Sequence, residues 1–308
     1  MVVLAGGTGG AKLARGMLDV VGAERLTVIA NTGDDVEIYG AHVSPDPDLI
    51  SFWLADQIDS RGWGLDGDTF NVMDGLRQLG EKIWFELGDR DLAIGIQRAG
   101  ALRRGERLTV AQAAISTRLG IAARVLPMCD EPVRTRILAD GRWWSLQEFL
   151  VQARGQGEIQ DIQFRGSDAA TPTTEVSAAL AGAAAIVIGP SNPILSIAPI
   201  LAVPGLREAI RNSPAPVVSV SPLVGGSVLK GPTAACMKWA GVAVCAAGLA
   251  ELYGELLDGL ITDEQLKSGL ITGGTDMPEI LSTNVLMDSS ESRRRLAAAA
   301  VKFAAELA

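Results

Sequence analysis

The strongest constraint on the fold lies at the start of the chain, where a short apolar run precedes a cluster of glycines. Met1–Ala5 (MVVLA) is apolar and rich in β-branched residues, which predicts a buried strand. The glycine-rich segment Gly6–Gly10 follows, then a predicted helix from about Ala11 to Val21 and a second buried strand at Leu26–Ala30 (LTVIA). Strand, helix and strand in this order form a βαβ unit, and such units build parallel sheets.

Similar apolar runs recur later in the chain. Ala184–Ile188 and Pro216–Val220 are predicted to be further buried strands, whereas Asn31–Asp48 is polar and is predicted to be irregular. Helices are predicted at about 49–59, 69–79, 92–101, 110–119, 236–253 and 292–307. The sequence therefore predicts an α/β fold with a Rossmann-like, doubly wound and mostly parallel sheet.

A different pattern occupies the middle of the chain. Asp140-Gly141 is a strong hairpin turn signal, and it lies between the predicted strands Arg134–Ala139 and Arg142–Ser145. We assign this hairpin to an inserted smaller α/β lobe at about 134–174. The whole chain, 1–308, is then predicted to be a single nucleotide-binding domain that carries this lobe.

Composition excludes several classes of function. The formal net charge of the 308 residues is −9, which argues against nucleic acid as a partner. His42 is the only histidine and the three cysteines form no C-x-x-C pair, so zinc and thiol-redox sites are not expected. Any metal is expected to be a hard cation such as Mg²⁺ on carboxylates. With no targeting segment or apolar run long enough to span a membrane, a cytoplasmic protein is expected.

The glycine-rich segment is the first candidate for chemistry. Glycines let the backbone approach a phosphate, and the start of the following helix attracts negative charge. Gly6–Gly10 with Lys12 is not a Walker A loop, because Leu13 stands where serine or threonine belongs. A tight turn without a ligand is the alternative, but four glycines and Thr8 directly after a strand favour phosphate binding.

The second candidate follows the second predicted strand. Asn31-Thr32-Gly33-Asp34-Asp35 should lie beside the glycine-rich segment, because ligands bind outside the carboxyl ends of parallel strands. Asp34 and Asp35, with Asp46 shortly after Ser44, are predicted to bind Mg²⁺ and to act in catalysis. The alternative is a turn in which these carboxylates are merely solvated.

Three further segments are weaker candidates. Ser191 and Asn192 in Gly189–Pro193 also follow a buried strand and are predicted to contact the substrate. For Asp89 and Arg90, a ligand site and an ordinary helix cap are equally favoured. Arg134 is a possible phosphate clamp, although such arginines are more often solvated strand residues.

Taken together in this order, the motifs resemble the 2-phospho-L-lactate transferase family, the CofD-like or FbiA-like proteins. The motifs that carry the resemblance span the chain from Met1 to about Leu201. They are Gly6-Gly7-Thr8-Gly9-Gly10-Ala11-Lys12, Asn31-Thr32-Gly33-Asp34-Asp35, Tyr39-Gly40, His42-Val43-Ser44-Pro45-Asp46, Leu87-Gly88-Asp89-Arg90-Asp91 and Gly189-Pro190-Ser191-Asn192-Pro193 with Ser196-Ile197.

The resemblance implies a reaction in the biosynthesis of the deazaflavin coenzyme F-420. A phospho-carboxylic acid (phospholactyl, phosphoenolpyruvyl or phosphoglyceryl) passes from a guanylyl-diphospho donor to the ribityl hydroxyl of the deazaflavin Fo, and GMP leaves. It also implies a Mg²⁺-dependent homodimer. The residues then expected to contact substrate are Gly6, Gly7, Thr8, Gly9, Gly10, Lys12, Asn31, Thr32, Ser44, Asp89, Arg90, Arg134, Ser191, Asn192 and Pro193.

Two other functions remain open at this point. A non-catalytic regulator that binds nucleotide sugars, as in the related YvcK-like branch, would need Gly6–Gly10 and Ser191-Asn192 but not the three aspartates. An NAD(P)-dependent oxidoreductase would be expected to match G-x-G-x-x-G more closely. The transferase is preferred because it accounts for all the motifs at once.

Overall fold

A computed structural model describes residues 1–264 and 278–308 of the chain. Its strands, in chain order, are β1 (Val2–Ala5), β2 (Thr27–Ala30), β3 (Val36–Ile38), β4 (Ala41–Val43), β5 (Arg124–Pro127), β6 (Arg134–Ala139), β7 (Arg142–Ser145), β8 (Ile159–Arg165), β9 (Ile186–Ile188), β10 (Val217–Val220), β11 (Leu223–Val224), β12 (Ser227–Val228), β13 (Gly259–Thr262) and β14 (Glu279–Ser282). Its α-helices are α1 (Gly7–Val21), α2 (Pro45–Leu54), α3 (Asn71–Gln78), α4 (Asp89–Arg103), α5 (Leu108–Arg118), α6 (Leu146–Val151), α7 (Thr174–Ala181), α8 (Ala198–Leu201), α9 (Leu206–Arg211), α10 (Thr233–Trp239), α11 (Ala246–Tyr253) and α12 (Ser290–Leu307).

Within the described residues, seven parallel strands form the central sheet, in the order β14-β13-β10-β9-β1-β2-β5. From β1 the chain adds β2 and β5 on one side, then crosses to β9 and builds outward on the other side. The strand order therefore reverses beside β1, and such a switch point opens a crevice at the carboxyl ends of the strands. The predicted Rossmann-like α/β fold is confirmed.

Both faces of the inner strands β1, β2, β9, β10 and β13 are buried, which explains why these strands read as continuous apolar runs. Val3 and Ala5 of β1 pack with α1, α2 and α12 on one face. Val2 and Leu4, which alternate with them, pack with α7, α9 and α11 on the other. None of the helices in the described parts of the chain is both long and apolar enough to cross a membrane.

Three local predictions were wrong. The glycine-rich segment is not a loop beyond Gly6, because α1 already begins at Gly7. The segment 31–48, predicted to be irregular, holds the hairpin β3–β4 and the start of α2. The helix predicted over 236–253 is broken into α10 and α11, because residues 240–245, which include Gly241, leave the helical conformation.

The hairpin predicted around Asp140-Gly141 is present, with β6 and β7 at the predicted bounds. β8 joins them in an antiparallel sheet of order β7-β6-β8. Ile137, Phe149 and Ile162 form an apolar cluster under this sheet. The three strands lie within the span predicted for the inserted lobe, whose boundaries and standing as a lobe stay a prediction.

Candidate functional site

The carboxyl ends of β1 and β2 are joined by a single carboxylate, that of Asp46. The Gly7 N–H, at the start of α1, donates to Asp46 Oδ1 over 2.5 Å. The Asn31 side-chain amide, directly after β2, donates to Asp46 Oδ2 over 2.9 Å. Asp46 lies in the first turn of α2, so three separate segments meet at this one side chain.

Gly6 makes this close approach possible. A Cβ atom at Gly6 would overlap Asp46 Oδ2 and would lie 2.7 Å from the Cβ of Ser196. The Gly6 N–H donates to Ser191 Oγ over 3.2 Å, which brings in the segment after β9. The three predicted strand-end motifs are therefore in contact, and glycine at this position is required by packing alone.

Asp34 is the carboxylate with bonding capacity to spare. It is buried, and its Oδ2 accepts one hydrogen bond, from the Gln147 side-chain amide over 3.3 Å. Its Oδ1 has no hydrogen-bond partner among the described residues. Burial, followed by the charges of Asp46 and Asp35, raises the pKa of Asp34 well above its usual value. A carboxylate of this kind suits a proton acceptor or a metal ligand.

Asp35 is fully bonded within the protein. Its Oδ1 accepts from the Ser44 hydroxyl over 2.5 Å, and its Oδ2 lies 2.8 Å from His42 Nε2. His42 Nδ1 lies 3.2 Å from Glu37 Oε1 on the other side of the ring. Burial alone would lower the pKa of His42, but the bonds to Asp35 and Glu37 outweigh it and raise the pKa to about 9. The imidazole is thus a cation at neutral pH and compensates the charge of Asp35.

Next to the contacts that join Asp35, His42 and Glu37 in a row lies a buried ion pair, which the sequence did not reveal. Arg98 on α4 is fully buried, bonds both carboxylate oxygens of Asp48, and donates to the His42 carbonyl over 3.0 Å. Asp48 in turn accepts from the Ser44 N–H over 3.4 Å. Arg98 therefore holds the hairpin β3–β4 against α2 and fixes the backbone around Asp35 and Asp46.

The chemistry of the carboxylates fits one Mg²⁺ ion held by few protein ligands. Within 1–264 and 278–308, no group of three or more His, Cys, Asp or Glu side chains is arranged to hold a metal. Mg²⁺ is usually bound by one or two carboxylates together with substrate phosphates and water. Asp34, which accepts one hydrogen bond from the described residues, suits that arrangement, whereas both oxygens of Asp35 and of Asp46 already accept hydrogen bonds.

The polar side chains after β9 are used within the protein. Asn192 Oδ1 accepts from the N–H groups of Ile194 and Leu195, and its amide donates to Thr233 over 3.2 Å. It thereby caps the single π-helical turn that starts at Pro193. Ser191 accepts from Gly6, as described above. This segment therefore shapes the crevice, and its polar side chains are bonded within the protein rather than free to bind a ligand.

The remaining residues near the strand ends differ in their exposure and in their hydrogen bonds. Thr8 is exposed in the first turn of α1. Thr32 is buried, and its hydroxyl has no hydrogen-bond partner among the described residues. Lys12 Nζ donates to the Met287 carbonyl over 3.0 Å, away from the carboxylates. Arg134 bonds Glu37 over 2.7 Å and so reaches the outer end of the Asp35–His42 row.

Asp89 and Arg90 are not part of this cluster. Asp89 accepts from the N–H groups of Asn71 and Val72 and from the Thr69 hydroxyl, so it caps the start of α3. The Thr69 bond comes first among the causes that lower the pKa of Asp89 to about 2. Arg90 donates to the backbone carbonyl of Asp66 over 3.0 Å and to the side-chain carbonyl of Gln57 over 3.3 Å. None of these hydrogen bonds reaches the three predicted catalytic aspartates.

An open parallel sheet with polar residues converging where its strand order reverses is the arrangement of ligand-binding α/β proteins. Residues 1–301 match the sequence model of the family described as 2-phospho-L-lactate transferase CofD. The chain belongs to this family, as its ordered motifs indicated.

Relatives of nearly the same length carry two different names. A 2-phospho-L-lactate transferase of Methanosarcina mazei is 36% identical over 96% of this chain and 98% of its own. One of Methanocaldococcus jannaschii is 37% identical over 100% and 99%. A phosphoenolpyruvate transferase of Thermobifida fusca is 37% identical over 100% and 98%. A UPF0052-family structure from Bacillus halodurans, 16% identical with a TM-score of 0.61 over 97% of each chain, shares the fold.

Proposed function

We propose that this protein transfers a phospho-carboxylic acid from a guanylyl-diphospho donor to the ribityl hydroxyl of the deazaflavin Fo and releases GMP, in the biosynthesis of coenzyme F-420. The acid is phospholactyl, phosphoenolpyruvyl or phosphoglyceryl. The names of the full-length relatives support the first two. The observation that carries the proposal is the meeting of Gly7, Asn31 and Asp46 beside Asp34, in a chain that matches the family model over 1–301.

The reaction needs positioning and charge neutralisation more than acid–base groups. The acceptor hydroxyl oxygen attacks the phosphorus that carries the acid, the bond from that phosphorus to the GMP oxygen breaks, and the hydroxyl proton must leave. We assign that proton to Asp34 Oδ1, since this atom has no partner among the described residues and the raised pKa of Asp34 favours protonation.

The diphosphate is assigned to the start of α1. The first N–H groups of a helix have no partner within the helix, and they attract anions. Thr8 and Gly9 lie in this first turn, directly after the Gly7–Asp46 contact. Mg²⁺ would be held by Asp34 through Oδ2, which keeps a lone pair beside the Gln147 bond, with Asp35 and Asp46 nearby, and it would neutralise part of the diphosphate charge. We also propose that the protein is cytoplasmic and forms a homodimer, in line with the resemblance to the family.

The reaction can be tested directly. Purified protein is incubated with Fo and each of the three candidate donors, with Mg²⁺ or with EDTA, while GMP release and the mass of the deazaflavin product are followed. One donor should add its phospho-acid to Fo in step with GMP release, and EDTA should abolish both. Absence of product from every donor in the presence of Mg²⁺ would contradict the proposed reaction. Undiminished turnover in EDTA would contradict the proposed requirement for Mg²⁺.

A further inference from the structure

The antiparallel sheet β7-β6-β8 contacts the segment Asn31–Asp35 at its middle residue. The Thr135 N–H, near the start of β6, donates to the Gly33 carbonyl over 2.7 Å. The Gly33 N–H in turn donates to Asn31 Oδ1 over 2.8 Å. A Cβ atom at Gly33 would lie 2.8 Å from Thr135 Oγ1, so the two segments touch without space for a side chain between them. The backbone next to Asp34 is therefore fixed by β6.

The helix α6 supplies the contact to the Asp34 side chain itself. Gln147 is the second residue of α6, it is buried, and its amide donates to Asp34 Oδ2 over 3.3 Å. A capping box surrounds it: Ser145 Oγ accepts from the Glu148 N–H over 3.3 Å, and Glu148 Oε2 accepts from the Ser145 N–H over 2.8 Å. Because these reciprocal bonds fix the first turn of a helix, Gln147 approaches Asp34 from a rigid position.

The bond from Gln147 distinguishes the two oxygens of the Asp34 carboxylate. It reaches Oδ2, while Oδ1 has no hydrogen-bond partner among the described residues. The torsion that rotates an aspartate carboxylate has broad, roughly two-fold preferences, so the side chain alone does not fix the plane of the group. A glutamine amide is a neutral donor, and it orients the carboxylate without cancelling its charge as lysine or arginine would.

We infer that Gln147 is a positioning residue for the transfer, which holds Asp34 so that Oδ1 faces the acceptor hydroxyl. The inference rests on the proposed function and adds a residue from outside the strand-end motifs. Gln147 acts through Asp34 and does not itself touch the reacting atoms. Loss of a bond that orients a reacting group, or a displacement of about 1 Å, costs about 10- to 100-fold in rate. The sheet β7-β6-β8 and α6 are thus part of the reaction centre.

The kinetic test uses Gln147→Met, which keeps the length of the side chain and removes the donor. It should lower kcat by about 10- to 100-fold and leave the KM for Fo and for the donor within about 2-fold, since Gln147 binds neither substrate. Gln152→Met, at an exposed glutamine directly after α6, is the matched control and should leave both constants unchanged. In Asp34→Asn protein, Gln147→Met should change the residual rate by less than about 2-fold, because two residues that act as one unit are not additive.

A second measurement observes the contact without turnover. In protein labelled with ¹⁵N at glutamine, the side-chain amide signals of Gln147 are identified by their loss in Gln147→Met. They should shift in Asp34→Asn, because the charge of their acceptor disappears, whereas the signals of Gln152 should not move. Melting temperatures show that each variant folds. If Gln147→Met does not fold, Gln147→Ser, which is smaller and suits the first turn of a helix, replaces it in both measurements.

The outcomes separate this inference from the proposed function. A wild-type kcat in folded Gln147→Met, or amide signals that do not respond to Asp34→Asn, overturns the positioning role while the transferase stands. An equal loss of rate in the wild-type and the Asp34→Asn backgrounds also overturns it, since Gln147 would then act independently of Asp34. If the wild-type protein transfers no phospho-acid to Fo, the proposed function fails, and the inference fails with it even where the amide signals shift.

Discussion

Asp34 and Asp89 were both predicted from the sequence to lie near the reaction, but they differ in their hydrogen bonds and in the direction of their pKa shifts. Asp89 accepts hydrogen bonds from Thr69, Asn71 and Val72, and its pKa is lowered to about 2. Among the described residues Asp34 has one donor, Gln147, and its pKa is raised well above the usual value by burial and by Asp46 and Asp35. The hydrogen bonds of Asp89 stabilise the fold, whereas burial of the Asp34 carboxylate lowers the stability of the folded protein.

The difference shows how to separate the roles of acidic residues in this chain. The charged form of a carboxylate surrounded by donors is more stable in the folded than in the unfolded protein, so no ligand is needed to explain its presence. A buried carboxylate with an unused acceptor and like charges nearby is unfavourable unless a proton, a cation or a substrate donor compensates it. We therefore propose Asp34 for the reaction centre, whereas Asp89 caps the start of a helix.

The largest effect is expected from Asp34→Asn. Loss of the proton acceptor should lower kcat by about 10²- to 10⁴-fold, the range for a positioned general base. The fold should be as stable as before or slightly more so, since Asn still accepts from Gln147 and buries no charge. Product formation and the melting temperature measure the two effects.

Asp168→Asn is the control for that variant, because Asp168 is an exposed aspartate and the change removes the same charge. It should leave kcat unchanged. Near wild-type turnover in Asp34→Asn would remove Asp34 from the reaction and would leave its raised pKa as a purely structural feature.

The second-largest effect concerns the buried pair behind the site. Arg98→Met leaves Asp48 buried without its counterion, which should lower the free energy of unfolding by about 3–5 kcal/mol. Arg104→Met, which removes the exposed pair with Glu106, is the control and should cost about 0–1 kcal/mol. Urea unfolding compares them. Equal costs would show that the Arg98–Asp48 pair contributes no more than a surface pair.

The parts of the fold that sequence reasoning predicted depend on local signals. β1 and β2 are continuous apolar runs because both faces of each strand are buried, so the pattern is visible within a few residues. The bounds of β6 and β7 were correct because Asp140-Gly141 matches the turn between them. The hairpin β3–β4 was missed because Tyr39-Gly40 is not the pair that such a turn favours.

The missed site residues depend on contacts between distant parts of the chain. Arg98 pairs with a carboxylate 50 positions away, and Gln147 bonds an aspartate 113 positions away. Arg98, one of three arginines in α4, and Gln147 in α6 carry no local pattern that distinguishes them from surface residues. Asp34, Asp35 and Asp46 were predicted from their positions after the second apolar strand, and that assignment stays a prediction. Their different bonding became visible only with the hairpin β3–β4 and Gln147 in place.

A third prediction concerns pH and sharpens the contrast between raised and lowered pKa values. Burial raises the pKa of Asp46 to about 6, so the folded protein holds a proton that the unfolded chain releases near pH 4. Stability from this group is complete below about pH 4 and is lost as pH rises through about 6. The wild type should therefore lose on the order of 1–3 kcal/mol between pH 4 and pH 7, at about 1.4 kcal/mol per pKa unit.

Asp46→Asn isolates this contribution. Urea unfolding at pH 4.5, 5.5 and 6.5 should show a smaller decline with pH than in the wild type, although Asp34 and Asp91, whose pKa values are also raised, still contribute. The lowered pKa of Asp89 acts in the opposite direction but only as pH falls towards 2, outside this window. An identical pH dependence in both proteins would contradict the raised pKa of Asp46.

The smallest effect on activity is expected from Asp89→Ala. The change removes the cap of α3, so the melting temperature should fall by a few degrees. Because no hydrogen bond joins Asp89 to Asp34, Asp35 or Asp46, kcat and the KM for each substrate should stay at the wild-type values. Asp74→Ala, an exposed aspartate in α3 itself, is the matched control for charge and helix. A large fall in kcat at an unchanged melting temperature would place Asp89 in the reaction after all, and the distinction drawn between it and Asp34 would fail.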